Sequence, residues 1–410
     1  MPSIHIIMTI NTDPNKINEL LTRGVENIFP NREFLEARLK EGKQLSLYVG
    51  IDPTSPDLHI GHSIFLRKMR AFQELGHKII LLIGDFTGMI GDPTDKSATR
   101  VRLTHDQVRE NARTYKEQAS KLISFEGENP AQFKFNSEWL AKLTFTDVVE
   151  LGAHFTVQQM LTRDMFKKRL QEEKEIYLHE FLYPLMQGYD SVVMDVDGEM
   201  GGNDQMFNML AGRTLMKAMK NKEKFVLTTK LLVDPTGKKM GKSEGNMIRL
   251  NDSADEMFGK VMSWTDGMIV GGFELMTDVP MEEVVAISKS LIRDEANPRD
   301  MKARLAKEVV KVFFDADEAE AASLRFDQQF KEHEVPENIP EHKISVEQSI
   351  VDVLVDSGLA KSKSDARQLI DGGGVKVDDN VVTDYKQLIE PTSDGVLIQK
   401  GKRHFVRVTK

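Results

Sequence analysis

His59 and His62, with Ile60 and Gly61 between them, follow the run Tyr48-Val-Gly50-Ile-Asp52-Pro-Thr54-Ser-Pro-Asp-Leu. A strand, a loop and a helix start are expected across this stretch, which puts both imidazoles at a helix N-terminus on one side of the helix. That end of a helix carries unpaired amides and the positive end of the dipole, so phosphate is its natural ligand. Histidine can donate to phosphoryl oxygens, and Gly61 lets the backbone approach a flat group such as adenine. The competing readings are a pair of helix-capping histidines and a pair of metal ligands.

A second candidate is Asp234-Pro-Thr-Gly237-Lys238-Lys239-Met240-Gly241-Lys242-Ser243. Gly241-Lys242-Ser243 invites a P-loop reading, but that motif needs glycine where Thr236 stands. Three lysines on a glycine-bearing loop suit a clamp that closes on a leaving pyrophosphate as charge develops there. A third candidate is a helix face. Tyr183, Gln187 and Asp190 stand at i, i+4 and i+7, so they share one side of a helix and can line one pocket. A carboxylate beside a Tyr and a Gln suits a ligand with both an ammonium and a phenolic hydroxyl.

The first two segments together resemble the paired signatures of the class I aminoacyl-tRNA synthetases, HIGH and KMSKS. The first is literal, and the second is Lys239-Met-Gly-Lys-Ser243, with Gly241 where the family usually has Ser. Tyr183-x-x-x-Gln187-x-x-Asp190, Gly201-Gly202-Asn-Asp204-Gln205 and Gly84-Asp-Phe-Thr87-Gly-Met-Ile-Gly-Asp92-Pro, with Lys96 and Arg100 beyond, resemble the tyrosine branch rather than the tryptophan branch. The resemblance implies that the chain activates tyrosine with ATP, as its Mg2+ complex, and passes it to the terminal ribose of tRNA(Tyr). It implies catalytic roles for His59, His62, Lys239 and Lys242. Tyr48 and Asp190 would read the substrate hydroxyl, Asp92, Tyr183 and Gln187 would hold the ammonium, and Gln205 would sit near the carboxylate. Gly50, Asp52, Thr54, Gly61, Gly202, Asp204, Lys242 and Ser243 would contact the nucleotide, with Lys96 and Arg100 on its pyrophosphate. No structural metal is expected. A homodimer is implied, formed through the helical region after the first βαβ unit. The rivals are a tryptophan enzyme and a non-catalytic RNA-binding protein on a retired synthetase body.

The elements that must hold these residues follow from periodicity. Leu45–Ile51 reads as an apolar strand, His62–Leu75 as a helix closed by Gly76, and Lys78–Gly84 as the next strand, a βαβ unit of a buried parallel sheet. Such sheets bind ligands at the carboxyl ends of their strands. Thr104 with Gln107 predicts a capping box for a helix through Ile123, and a short strand runs from Phe133 to Asn136. A helical stretch is expected over Thr144–Met219, and another over Ala254–Phe330.

The expected fold is therefore α/β: a Rossmann-like parallel-sheet catalytic domain, then a helical domain and a small α+β RNA-binding domain. The boundaries are residues 1–44, an N-terminal helical segment; 45–250, the catalytic domain with a helical insertion; 251–332, helical; 333–343, a linker; and 344–410. The last unit should carry two short helices in Val346–Leu369 and a glycine turn into Val375-Lys376-Val377. It resembles the small RNA-binding domain that many bacterial tyrosyl enzymes carry at this end, and Lys361, Lys363, Arg367 and Lys376 are its candidate phosphate contacts.

Bulk properties agree with that plan. A chain of 410 residues needs more than one core, and 40% hydrophobic with 29% charged residues is a globular balance. The net charge of -9 disfavours a general polyanion binder, yet residues 344–410 hold ten basic and ten acidic residues and are neutral overall. With no cysteine there are no disulfides or thiolate sites, and a reducing cytoplasm is the expected location. No stretch approaches the roughly 20 apolar residues of a membrane span.

Overall fold

The computed structural model describes residues 9–92, 103–234, 236–237, 247–331, 339–378, 380–392, 395–401 and 404–410. The chain divides into two compact units, Met1–Phe326 and Asp327–Lys410.

The first unit is built on a six-stranded sheet of β1 (Val25–Phe29), β2 (Ser46–Ile51), β3 (Lys78–Ile83), β4 (Gln132–Phe135), β5 (Gly198–Gly202) and β6 (Phe225–Thr229). Its spatial order is β1-β6-β5-β2-β3-β4, parallel except for β1, which runs antiparallel to β6. From β2 the chain winds outward through β3 and β4, then returns to lay β5 on the other side of β2. The winding direction thus reverses between β2 and β5, and the carboxyl ends of those two strands flank a crevice, the usual ligand position in such sheets.

The helices of this unit begin with α1 (Pro14–Thr22), α2 (Arg32–Lys40), α3 (Ile60–Glu74), α4 (Thr87–Ile90), α5 (His105–Ala112), α6 (Tyr115–Ser120) and α7 (Ser137–Leu140). Next come α8 (Phe145–Gly152), α9 (Val157–Leu161), α10 (Asp164–Gln171), α11 (Leu178–Met194) and α12 (Met206–Lys220). The run α13 (Ala254–Met262), α14 (Ile269–Met276), α15 (Met281–Ile292), α16 (Pro298–Phe313) and α17 (Ala316–Lys331) is the expected helical region. Its apolar faces, including Phe258, Trp264, Phe273 and Val309, join the core that also holds Leu47, Val49 and Leu81 of the sheet and Phe72 of α3. α3 leaves the sheet as a βαβ crossover should, and ends where Gly76 takes a positive φ of 94°.

Four expectations need correction. The segment before residue 45 is not all helix, because β1 lies within it and pairs with β6. The helix expected through Ile123 breaks after Ala112, and Thr114, whose hydroxyl accepts from Gln118 Nε2 at 2.8 Å, starts a second helix. The helical stretch 144–219 is interrupted by β5, whose sequence Gly-Glu-Met-Gly-Gly has no β-branched residue to betray a strand. The end of the expected linker, Glu341–Lys343, is a strand; residues 332–338 lie outside the described residues.

The second unit contains β7 (Glu341–Lys343), β8 (Gln348–Ser349), α18 (Ile350–Asp356), α19 (Lys363–Asp371), β9 (Val375–Val377), β10 (Asn380–Val381), β11 (Leu388–Ile389), β12 (Val396–Lys400) and β13 (His404–Thr409). One sheet has the order β10-β9-β12-β13-β7, and β8 pairs with β11. Ile350, Val353, Leu354, Ala366, Ile370, Val375, Ile398 and Val408 form a separate small core. Among the described residues no helix is long and apolar enough to cross a membrane.

Candidate functional site

The two histidines sit where the sequence places them, at the start of α3. His59 is the N-cap; its Nδ1 accepts from the Gly61 amide at 3.1 Å, and His62 Nδ1 accepts from the His59 amide at 3.0 Å. The rings lie 3.9 Å apart between centroids. Both Nδ1 atoms are therefore acceptors, so each neutral ring carries its proton on Nε2, a donor. Capping and donation are not alternatives here, since the cap fixes the tautomer that donates. Gly61 is required for a reason the sequence did not disclose: a Cβ there would meet the His59 ring at 2.9 Å.

The carboxyl end of β2 presents the next group. Gly50 is the exposed position in a strand whose neighbours are buried, and among the described residues a Cβ there would meet nothing within 4 Å. Asp52 Oδ1 accepts from Thr87 Oγ1 at 2.7 Å, and its Oδ2 accepts from Tyr183 at 2.8 Å. The Asp52 side chain passes so close over the end of β3 that a Cβ on Gly84 would lie 2.0 Å from it. Thr54 turns back on Asp52 through a 2.8 Å backbone bond. Across the crevice, Gly202 closes β5 and Asp204 follows in a single helical turn before α12.

The polar face of α11 is directed at this crevice. Asp190 is buried, and its two oxygens accept from Trp139 Nε1 at 2.7 Å and Asn136 Nδ2 at 3.3 Å. Asn136 Nδ2 also donates to Thr87 Oγ1 at 3.1 Å. A closed ring results: Asp190, Asn136, Thr87, Asp52 and Tyr183, with the first and last both on α11. Burial pushes the Asp190 carboxyl well above the usual carboxylate range, and the Trp139 and Asn136 donors oppose that shift. The Tyr183 phenol is likewise raised by burial and by Asp52.

Tyr48 is fully buried, and its hydroxyl donates to the Gln187 carbonyl at 3.2 Å and lies 3.0 Å from Ser191 Oγ. Burial and the Glu199 carboxylate raise its phenol well above normal. Gln187 Nε2 donates to Glu199 Oε1 at 2.9 Å. At the far end of the pocket Asp92 accepts from Gln205 Nε2 at 2.5 Å and faces Arg163 at 4.0 Å, while Asn208 Nδ2 steadies Gln205 at 2.9 Å.

Of the expected residues, Asp52, Tyr183 and Asp190 thus share one hydrogen-bonded ring, Tyr48 bonds to Gln187, and Asp92 bonds to Gln205. Lys96, Arg100, Lys239, Lys242 and Ser243 lie outside the described residues. Beyond the lysine segment, Ile248 accepts from the Ile60 amide at 2.8 Å and Leu250 donates to Leu58 at 2.9 Å, beside the histidines. Asn136, Trp139, Arg163, Ser191, Glu199 and Lys224 were not singled out from sequence. Each is a lone polar residue in a strand, a loop or a helix, without a motif to mark it.

In the second unit Lys361, Lys363 and Arg367 are exposed around the start of α19, while Lys376 is half-buried on β9, opposite Gln399. Lys363 Nζ reaches Asp352 at 2.7 Å, and the Arg367 guanidinium lies 5.8 Å from the Tyr385 ring centroid.

The chain is similar to known proteins over most of its length. The family of class I tRNA synthetases (W and Y) matches residues 40–331, and the C-terminal domain of tyrosine–tRNA ligases of the SYY type matches residues 329–408. A tyrosine–tRNA ligase of Carboxydothermus hydrogenoformans is 43% identical over 95% of this chain and 97% of its own length. One from Moorella thermoacetica is 45% identical over 95% of this chain and 94% of its own. Among solved structures, a C-terminally truncated mitochondrial tyrosyl-tRNA synthetase of Coccidioides posadasii superposes with a TM-score of 0.60 at 25% identity, covering 76% of this chain and 91% of that one. The Archaeoglobus fulgidus tyrosyl-tRNA synthetase complexed with L-tyrosine shares the fold with a TM-score of 0.59, at 21% identity over 75% of this chain and 99% of that one.

Proposed function

The chain belongs to the class I tRNA synthetases of the tryptophan and tyrosine type, and from that premise we propose how its site carries out the reaction. It is an enzyme that joins tyrosine to tRNA at the expense of ATP. A tyrosine carboxylate oxygen attacks the α-phosphorus of ATP, the bond to the bridging oxygen breaks, and pyrophosphate departs. The terminal ribose hydroxyl of tRNA(Tyr) then attacks the acyl carbon, and AMP leaves.

No side chain need become a covalent intermediate, so catalysis is positioning and charge stabilisation. His59 and His62 donate from Nε2 to the phosphoryl oxygens, beside the amides at the start of α3. Gly50, Asp52, Thr54, Gly61, Gly202 and Asp204 receive the nucleotide at the point where the sheet reverses direction. Lys239, Lys242 and Ser243, with Lys96 and Arg100, neutralise the departing pyrophosphate. ATP brings Mg2+ on its phosphates, and the ion supplies charge neutralisation there.

Asp190 and Tyr48 read the phenolic hydroxyl, Asp92, Tyr183 and Gln187 hold the ammonium, and Gln205 lies toward the carboxylate. The observation that carries this reading is the buried Asp190 carboxylate, oriented by Trp139 and Asn136. A pocket that has already desolvated such an acceptor disfavours an aromatic side chain without a hydroxyl, because the lone pairs not taken by Trp139 and Asn136 then gain no donor from the ligand. Lys361, Lys363, Arg367 and Lys376 contact tRNA phosphates, and the enzyme works in the cytoplasm.

Two copies of the chain associate through the surface of α8 to α11. Phe145 and Leu178 there are 84% and 78% exposed, and Val149, Val157 and Leu170 lie exposed on α8, α9 and α10, with Tyr177 exposed at the N-cap of α11. ATP–pyrophosphate exchange measured with each of the twenty amino acids tests the central assignment. Exchange driven by tyrosine is the expected result. Exchange driven by tryptophan, or by no amino acid, would overturn it.

A further inference from the structure

Behind the amino-acid pocket lies a buried ion pair that none of the roles above uses. Lys224, at the entry to β6, is fully buried; Glu199, the second residue of β5, is 2% exposed; and the ammonium contacts Glu199 Oε2 directly. Space for it is cut from α12 by Gly212, where a Cβ would lie 2.5 Å from Lys224 Nζ and 2.9 Å from Ser191 Oγ. Stability does not explain the arrangement, since apolar residues of similar size in place of a buried pair are commonly neutral or stabilising.

Its contacts do suggest a purpose. Glu199 Oε1 accepts from Gln187 Nε2 at 2.9 Å. A carboxylate can only accept, so the Gln187 amide is locked with its nitrogen toward Glu199 and its oxygen turned away. That oxygen is the atom an ammonium needs. On the other side, Lys224 Nζ donates to Ser191 Oγ at 2.8 Å. An ammonium has no acceptor, so it takes one of the two Ser191 Oγ lone pairs and leaves the Ser191 hydrogen available to the Tyr48 oxygen, 3.0 Å away. The Tyr48 hydrogen goes to the Gln187 carbonyl at 3.2 Å. Both ends of the network therefore converge on Gln187, one on its side chain and one on its backbone.

We infer that Lys224 and Glu199 are positioning residues for the tyrosine site, fixing the amide orientation of Gln187 and holding Tyr48 in place through Ser191. Neither touches the substrate. Burial pushes the Lys224 ammonium down, and the Glu199 carboxylate opposes that shift, so the pair is mutually dependent. The inference rests on the assignment of Gln187 and Asp190 to the amino acid.

The test is steady-state ATP–pyrophosphate exchange with the full chain, comparing Glu199→Gln, Lys224→Met, the uncharged double variant Lys224→Met/Glu199→Gln, and Gln187→Ala. Glu199→Gln keeps the shape but lets the Gln187 amide turn. Its KM for tyrosine should rise roughly tenfold, its KM for ATP should not move, and its preference for tyrosine over phenylalanine should narrow. A role in folding alone would not separate the two KM values. Lys224→Met leaves a buried carboxylate alone; if it does not fold, the double variant, without buried charge, carries the same readout and the same expected rise. Unchanged tyrosine KM in folded variants, or equal rises for tyrosine and ATP, would overturn the inference. If Gln187→Ala leaves the tyrosine KM unchanged, the amino-acid assignment itself falls and takes the inference with it. If Gln187→Ala raises it and the other variants do not, the inference alone falls.

Discussion

His62 caps α3 with one nitrogen and, in the proposed reaction, donates with the other, and substitution can separate the two. Nδ1 accepts the His59 amide at 3.0 Å, which is half of the reciprocal cap on α3. Nε2 is the donor assigned to the phosphoryl oxygens. In His62→Ala both are lost. The missing cap should cost about 1 kcal/mol of stability, which in a unit of this size lowers Tm by only about 1–2 °C. The missing donor removes an interaction that strengthens as charge develops at the α-phosphorus, and such donors are worth roughly 10²–10³ in rate. His62→Asn restores the acceptor for the His59 amide but places its amide hydrogens differently, so Tm should recover while most of the rate does not. The assay is pre-steady-state formation of the adenylate at saturating ATP, with the tyrosine dissociation constant taken from its concentration dependence. Tyrosine binding should be unchanged. If the activation rate of a folded His62→Ala protein matched that of the parent, or if the loss lay in tyrosine affinity, the phosphoryl role would be refuted.

Two further expectations concern stability and assembly. His77 is fully buried, its Nδ1 accepts from the Leu45 amide at 3.2 Å, and burial lowers its pKa from 6.5 to about 4. Between those values the unfolded chain binds the extra proton, so stability is complete above pH 6.5 and is lost as pH falls through 4. The loss should approach about 3 kcal/mol, and His77→Gln, which keeps an acceptor but cannot charge, should abolish that part of the slope in denaturant melts between these pH values. Leu178→Asp places a charge on a side chain that is 78% exposed, so it should leave the folded monomer intact while moving sedimentation from dimer to monomer; a variant that stays dimeric would remove α8 to α11 as the interface.

What could be read from the sequence was what is local. His59 and His62 are three residues apart and cap the same helix, so their pattern and their geometry are nearly the same information. Tyr183, Gln187 and Asp190 share a helix face for the same reason. The strand β5 was not legible because its residues answer to tertiary contacts: Gly198 must be glycine, since a Cβ would lie 2.1 Å from the Phe225 ring. β1 sits between two short amphipathic helices, and only its pairing with β6 makes it a strand. Asn136 and Trp139 come to Asp190 from beyond β4, more than fifty positions away in the chain, and no periodicity connects them. Glu199 and Lys224 were invisible for the opposite reason: a lone Glu and a lone Lys look like surface residues until the fold buries them together.

The reversal of strand order also has a history in time. β2 and β5 lie side by side, with Leu47 opposite Gly198, yet the ribosome delivers them far apart. At ordinary rates of synthesis the gap is on the order of ten to thirty seconds. Throughout that interval β2 can pair with β3 on one side only, and its other edge stays open, a template for any strand that comes near. The crevice proposed to receive both substrates therefore has one wall only until β5 emerges, although β6 and the helices from α13 onward are made later still. In the proposed site the nascent chain gains the wall opposite β2 only with β5, and the bonds joining Ile60 to Ile248 and Leu58 to Leu250 that flank the histidines form only after the seam has closed.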